Sequence, residues 1–354
     1  EATSLVVRQD QTIWIGTNAG IFILDRSRTK ISEFDYTHQN EFINLIGQNY
    51  INDLMEDRLG NIWIATSFGL YKYDGQKINS YFCDRYNPDG LCNDWVNVVF
   101  EDEQGWIWVG TNQGVRYLMP GETEFITNDS ISGMSANPIL SFCQISPNEI
   151  LMGTRNGISH YAKNSNTFTP LTQSINHSNN VINSILMDDQ KQIWIGTNNG
   201  VTMINPANKS FIFDQRDGLR NAYFKRGSLA KQDGIIYLGG FHGIDYISPI
   251  DIPFNKTAPK IIVSNITVEY SNGETNYIPV NQDQISLRYK RNALVSIDFT
   301  SLDFTYPERC QYKVFMEGYD KQWSEPTNIN NVKYLDLPAG EYLLNIEASN
   351  SDLQ

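Results

Sequence analysis

The feature that most restricts how this chain can fold is an internal repeat. The segment Ile13-Trp14-Ile15-Gly16-Thr17-Asn18-Ala19-Gly20 sets a pattern. The pattern recurs at Ile62–Gly69, Ile107–Gly114, Ile150–Gly157, Ile193–Gly200 and Ile236–Gly243. The closing glycines stand at 20, 69, 114, 157, 200 and 243, so the steps are 49, 45, 43, 43 and 43. That period fits one four-stranded propeller blade and is too long for a leucine-rich repeat. Short β-branched and aromatic runs alternate with Gly, Asn and Asp turns, a strand pattern rather than a helical one. In the fifth unit the expected strands are Val181–Met187, Gln192–Thr197, Val201–Asn205 and Phe211–Phe213, with Asn198-Asn199-Gly200 as a tight turn.

A tryptophan at one place in successive blades is expected to wedge between neighbouring sheets. The small residue two positions later lets those sheets approach. Asp57, Asp102 and Asp188, six residues before the Trp, read as turn formers. Six motifs require at least six blades. The first motif begins 13 residues in, so the chain is expected to start inside a blade that needs a strand from elsewhere.

The pattern stops after Ile247, and Pro249, Pro253 and Pro259 mark a linker or an edge segment. From Ile261 a second all-β pattern begins. Its expected strands are Ile261–Val263, Ile266–Tyr270, Leu294–Phe299, Tyr312–Met316 and Tyr342–Ala348. This spacing suits an immunoglobulin-like sandwich. The expected division is therefore 1–258 for the propeller and 259–354 for the sandwich; a final strand is expected to be missing from the sandwich, since its last residues directly follow a strand.

Charge and cysteine usage bound the partners. The chain of 354 residues has 27 basic and 40 acidic side chains, a formal net charge of −13. Such a surface repels a phosphate backbone, which argues against a nucleic acid partner. No apolar run of membrane-spanning length occurs. None of Cys83, Cys92, Cys143 and Cys310 forms a CxxC pair, so no zinc site is expected. The turn Asn87-Pro88-Asp89-Gly90 could bring Cys83 and Cys92 together as a disulfide; the alternative is two thiols.

With these residues in view, the chain resembles a known family. The Ile-Trp-Ile-Gly-Thr-x-x-Gly units are similar to two-component regulator propeller repeats. Tyr306-Pro307-Glu308, Tyr312, Glu317-Gly318-Tyr319-Asp320, Trp323 and Leu337–Tyr342 are similar to the triple-tyrosine domain. In this order they resemble the periplasmic sensor region of hybrid two-component regulators of gut Bacteroidetes. That resemblance implies a seven-bladed propeller and an oligosaccharide ligand. It also implies a homodimer signalling through the sandwich, and a parent histidine kinase anchored in the inner membrane. Leu151 and Tyr237 depart from the pattern by replacing Trp.

No catalytic constellation, metal site or cofactor is expected. The four histidines, His38, His160, His177 and His242, are not at ligand spacing, and neither a Gly-x-Ser-x-Gly elbow nor a phosphate loop occurs. Asp57-Arg58-Leu59-Gly60-Asn61-Ile62-Trp63 has the turn of a sialidase Asp box but no Thr before its Trp. In a propeller the turns after the Trp strands and the blade-to-blade connections open on one face. That nominates Arg155 and His242 on the turns, with Asn112, Gln113, Asn156, Asn198, Asn199 and Phe241, and Trp95, Arg220, Tyr223, Lys225 and Arg226 on the connections. Trp95, Arg155, Arg220, Tyr223, Lys225, Arg226 and His242 are the expected ligand contacts, because sugars are held by flat aromatic faces with planar donors beside them. The alternatives are a propeller hydrolase or lyase, which needs a facing carboxylate pair, and a protein-docking scaffold.

Overall fold

The computed structural model describes residues 1–35, 49–84, 86, 90–126, 137–171, 180–252, 254, 255, 257–280, 284–287, 292–303 and 306–350. His38, His177, Asn87, Pro88, Asp89, Pro253 and Ser351–Gln354 lie outside them. The chain divides into two compact units, Glu1–Ile250 and Asp251–Gln354. Both are built from antiparallel strands.

The first unit contains six sheets among the described residues, each carrying one copy of the motif. The second, fourth and fifth have four strands in sequence order, as in Ile182–Met187, Ile193–Thr197, Val201–Ile204 and Ser210–Phe213. The first sheet corrects one expectation. It is complete in itself, from Ala2–Val7 through Ile13–Thr17 and Gly20–Leu24 to Ile31–Glu33. Twelve residues before the first motif are enough for an inner strand and its turn. The three-stranded sheets are the third, where Ile126 bridges Tyr117 in place of an outer strand, and the sixth.

Inner strands pack neighbour on neighbour in chain order. The junctions explain the motif. Trp14 is buried among Ile51, Leu54 and Ile64 of the second sheet, Trp63 among Val96 and Val99 of the third, and Trp108 among Ile139 and Phe142 of the fourth. The motif glycine is where the next sheet comes closest. A Cβ on Gly110 would lie 2.9 Å from Ile139, so any larger residue would push the sheets apart.

Two flanks differ from the rest. At the Trp position, Trp14, Trp63, Trp108, Leu151 and Trp194 are at most 3% exposed, but Tyr237 of the sixth sheet is 36% exposed. On the opposite flank Leu5 is 58% exposed, whereas its counterparts Leu54, Val99, Phe142 and Ile185 are 5–8% exposed. The open flanks are those of the sixth and first sheets, where no neighbouring sheet among the described residues covers the apolar side. At their inner rim Lys225 Nζ meets Glu1 Oε1 at 2.7 Å.

The second unit is a sandwich. One sheet orders Thr275–Ile278, Ile261–Glu269, Leu294–Ser301 and Asn331–Leu335; the other pairs Gln311–Glu317 with Leu343–Ser349. They share a core of Val268, Val295, Ile297, Phe299, Tyr312, Met316 and Tyr334. The two strands expected before and after Ser264 are one strand with an irregularity between Val263 and Asn265. Thr275–Ile278 and Asn331–Leu335 were not expected, because each is short and mostly exposed or half-buried. The tyrosines brace this unit: Tyr312 Oη accepts from Ser301 N at 3.0 Å, Tyr334 Oη donates to Asp320 Oδ2 at 3.2 Å, and Tyr342 Oη donates to Pro338 O at 2.9 Å.

Candidate functional site

Three repeated hydrogen-bond devices set the site in place. The first is the motif threonine. Thr17, Thr66, Thr111, Thr154 and Thr197 each donate Oγ1 to the carbonyl of the motif glycine three residues on, at 2.8–3.0 Å. Each also accepts the main-chain NH two residues on. The turn is closed from within, and the glycine supplies the positive φ it needs. The sixth motif has Gly240 where the others have Thr. There Asn221 performs both roles from the connecting segment: Oδ1 accepts from His242 N at 2.7 Å, and Nδ2 donates to Gly243 O at 3.3 Å. A Cβ at position 240 would lie 2.3 Å from Asn221 Cγ, so the two residues exclude each other's alternatives.

The second device is the aspartate. Asp57, Asp102 and Asp188 form turns as expected, each accepting main-chain NH groups two and four residues ahead. Each carboxylate also accepts the indole NH of its Trp at 2.8–2.9 Å. The fourth sheet has Leu151, which needs no acceptor, and Ile145 six residues earlier.

The third device lies on the inner strands, whose second residue is bulged out of register. At three junctions that residue reaches the first residue of the next inner strand. Thr3 Oγ1 donates to Ile51 O at 2.5 Å, Asn52 Nδ2 to Val96 O at 2.8 Å, and Asn183 Nδ2 to Phe224 O at 2.8 Å. Sequence reading missed these residues. The signal was present as the recurring Ile51-Asn52, Val96-Asn97 and Ile182-Asn183 pairs.

The sixth inner strand breaks the repeat. Between Phe224, paired with Gly240, and Leu229, paired with Leu238, it carries the four residues Lys225–Ser228. The other inner strands have two at this place, as with Asn183 and Ser184. Gly227, at φ +64°, allows the extra loop. The loop sends Arg226 to the inner strands of two other sheets. One Nη donates to Asn97 Oδ1 of the third inner strand at 2.7 Å, and the other to Asn52 Oδ1 of the second at 3.1 Å.

Arg226 lies within electrostatic reach of Asp53, Tyr50, Tyr223 and Arg155, and burial holds its guanidinium below its ordinary value. Burial pushes the Asp53 carboxyl up, against the hydrogen bonds it accepts from Val99 N, Ser4 Oγ and Leu54 N. Tyr223 stacks on Phe241 with ring centres 4.9 Å apart, and Lys225 Nζ sits 5.1 Å from the centre of the Phe241 ring. Of the expected contacts, the structure thus groups Arg155, Tyr223, Lys225 and Arg226. Arg220 and His242 have exposed side chains, and their main-chain NH groups are tied to Asp245 and Asn221. Trp95, 45% exposed, leads into the third inner strand and accepts Asn112 N through its carbonyl.

Cys83 is exposed, Cys92 is half-buried with Sγ 3.0 Å from Thr111 Oγ1, and both are thiols rather than a disulfide. Among the described residues no group of three or more His, Cys, Asp or Glu could hold a metal ion. No helix among them is long and apolar enough to cross a membrane.

The two component regulator propeller family (Reg_prop) matches residues 45–68, 90–113 and 176–199, and the Y_Y_Y domain family matches residues 303–354. The chain carries two component regulator propeller repeats followed by a Y_Y_Y domain. No curated protein matches this propeller and Y_Y_Y chain. Among solved structures it is similar to the extracellular domain of a hybrid two component system from B. thetaiotaomicron, at 19% identity and TM-score 0.46, over 98% of this chain and 53% of that one. The chain thus spans about half the length of that structure. It is also similar to PorZ, a surface component of the type-IX secretion system of Porphyromonas gingivalis, at 12% identity and TM-score 0.52, over 96% of this chain and 51% of that one. Virginiamycin B lyase from Staphylococcus aureus is 13% identical with TM-score 0.51, over 83% of this chain and 90% of that one. At these identities the last two likenesses show the fold alone.

Proposed function

We propose that this chain is the extracytoplasmic ligand-sensing region of a membrane-bound hybrid two-component regulator. Its ligand is an oligosaccharide bound where Arg226, Arg155, Tyr223 and Lys225 converge. The observation that carries the reading is the departure of the sixth inner strand from the repeat: the added loop puts one planar cation between amides of two other sheets. Structural needs of the blade do not call for it, since the other inner strands manage with two residues at this place. Planar donors beside stacked aromatic rings suit the alternating polar edges and flat faces of a sugar.

The pairing of propeller repeats with a Y_Y_Y domain supports the regulator reading. In that reading the chain is periplasmic, its sandwich carries the signal toward an inner-membrane anchor, and two copies associate through the sandwich. The parent chain is then a histidine kinase, and this region performs no catalysis. Titration calorimetry of the chain against defined plant and host oligosaccharides tests the reading. Binding that disappears in Arg226→Gln supports it, whereas catalytic release of sugar from any of those glycans would overturn it.

A further inference from the structure

Arg226 forms no ion pair among the described residues, and the one carboxylate that draws on its charge, Asp53, acts from beyond ion-pair distance. Both of its Nη contacts are neutral amide oxygens. Those amides are themselves fixed, Asn52 by Val96 O and Asn97 by Asn112 Oδ1. Among the described residues no carboxylate lies within ion-pair distance of Arg226 or of Arg155. The acid nearest in effect, Asp53, takes three hydrogen bonds from neutral donors, and its burial raises its carboxyl despite those bonds and the pull of Arg226. Arg155 adds a like charge that works against Arg226.

A chain with net charge −13 therefore places two guanidinium groups, neither of them in an ion pair, within electrostatic reach of each other. A half-buried cation without a counterion costs folding free energy, and a second beside it adds to that cost. An arrangement that is unfavourable alone and is held rigidly by surrounding amides suits an anion that arrives from outside. A guanidinium has five N–H groups, and the amides of Asn52 and Asn97 take one from each Nη of Arg226. A free donor edge of that shape matches the two oxygens of a carboxylate. The stacked Tyr223 and Phe241 rings alongside offer a flat apolar surface that a small inorganic anion would not use.

We infer that the propeller centre is specific for an acidic saccharide, with Arg226 and Arg155 holding a sugar carboxylate and Tyr223 with Phe241 supporting the ring that bears it. This rests on the sensor reading and narrows its ligand class.

The test is calorimetric titration of the whole chain with disaccharides of glucuronic, galacturonic and mannuronic acid and with sialyllactose, each beside its carboxyl-reduced form. The expected result is an acidic member that binds at least about tenfold more tightly than its reduced form, an advantage that shrinks as salt is raised. Arg226→Gln and Arg155→Gln should each remove that advantage. Arg155 has an exposed side chain, so its variant tests the inference even if Arg226→Gln fails to fold. Equal binding of the acidic and reduced forms would overturn the acidic specificity and leave the sensor reading standing. Acetate or inorganic phosphate binding as tightly as any saccharide would overturn the role given to the aromatic pair. Absence of binding by every saccharide, acidic or neutral, would overturn both readings.

Discussion

Trp108 donates its indole NH to Asp102 Oδ2 at 2.8 Å, and neither side chain has any exposure to solvent. The same carboxylate holds the turn before the Trp strand and meets Lys163 Nζ, from the fourth sheet, at 2.5 Å. One aspartate thus connects a turn, the wedge between two blades and a buried ion pair. Asp102→Ala should destabilise the chain by about 3 kcal/mol or more, because it strands the Lys163 ammonium as well as the indole. Urea unfolding would measure this. Adding Lys163→Met should restore part of the loss, and a cost below about 1 kcal/mol for Asp102→Ala alone would contradict the account.

In the fifth sheet the same device lacks the lysine, so the indole contact can be separated. Asp188→Ala leaves the buried Trp194 NH without its acceptor, while Trp194→Leu removes the donor and copies what the fourth sheet does with Leu151. The double variant should be less damaged than the sum of the singles by about 1–3 kcal/mol. Strict additivity in a double-mutant cycle would show that the Asp serves the turn alone.

The sixth hairpin offers a reciprocal test. Gly240→Thr alone should destabilise, because the new side chain meets Asn221. Asn221→Ala alone should also destabilise, since the NH of His242 and the carbonyl of Gly243 lose their partner. Together the two changes rebuild the threonine-closed turn of the other five sheets. The melting temperature of the double variant should lie above that of either single, and a double variant worse than both would refute the equivalence of Asn221 and the motif threonine.

The thiols should differ in reactivity. Burial pushes the Cys143 thiol up to about 11, and burial also raises Cys310, whereas Cys83 is exposed. The reactive species is the thiolate, so Cys143 should resist iodoacetamide near neutral pH and become reactive only as pH approaches its raised value or the chain unfolds. Peptide mass analysis after alkylation of the native chain should find Cys83 modified and Cys143 unmodified; prompt labelling of Cys143 would place it outside the core.

Much of the propeller was legible because its determinants are local and repeated. A Trp, a small residue two positions on and a positive-φ glycine fixed the junctions before any contact was known, and Trp14, Trp63 and Trp108 fall where the pattern put them. The candidate site was legible by character rather than arrangement. Arg226 reaches toward Arg155 and Tyr223 because a register irregularity directs it, and nothing in the composition of Lys225–Ser228 announces two added residues in a strand. The partnership of Asn221 with Gly240 was invisible for a related reason: it substitutes for a missing hydroxyl across 19 residues of chain, and the motif records only that threonine is absent. Asn52 and Asn97 could have been found as repeated amides after an apolar residue, but their acceptor toward Arg226 depends on a sheet that lies far away in sequence.

Identical blades arranged about an axis make a wheel, and a wheel cannot tell one rotational setting of a guest from the next. Two extra residues in a single strand turn that wheel into a dial. With one pointer, Arg226, fixed between the second and third sheets, the centre has a top, a bottom and a bearing. A guest that reaches it can be read for orientation as well as for composition, and the reading is written by a length change that leaves the blades themselves intact.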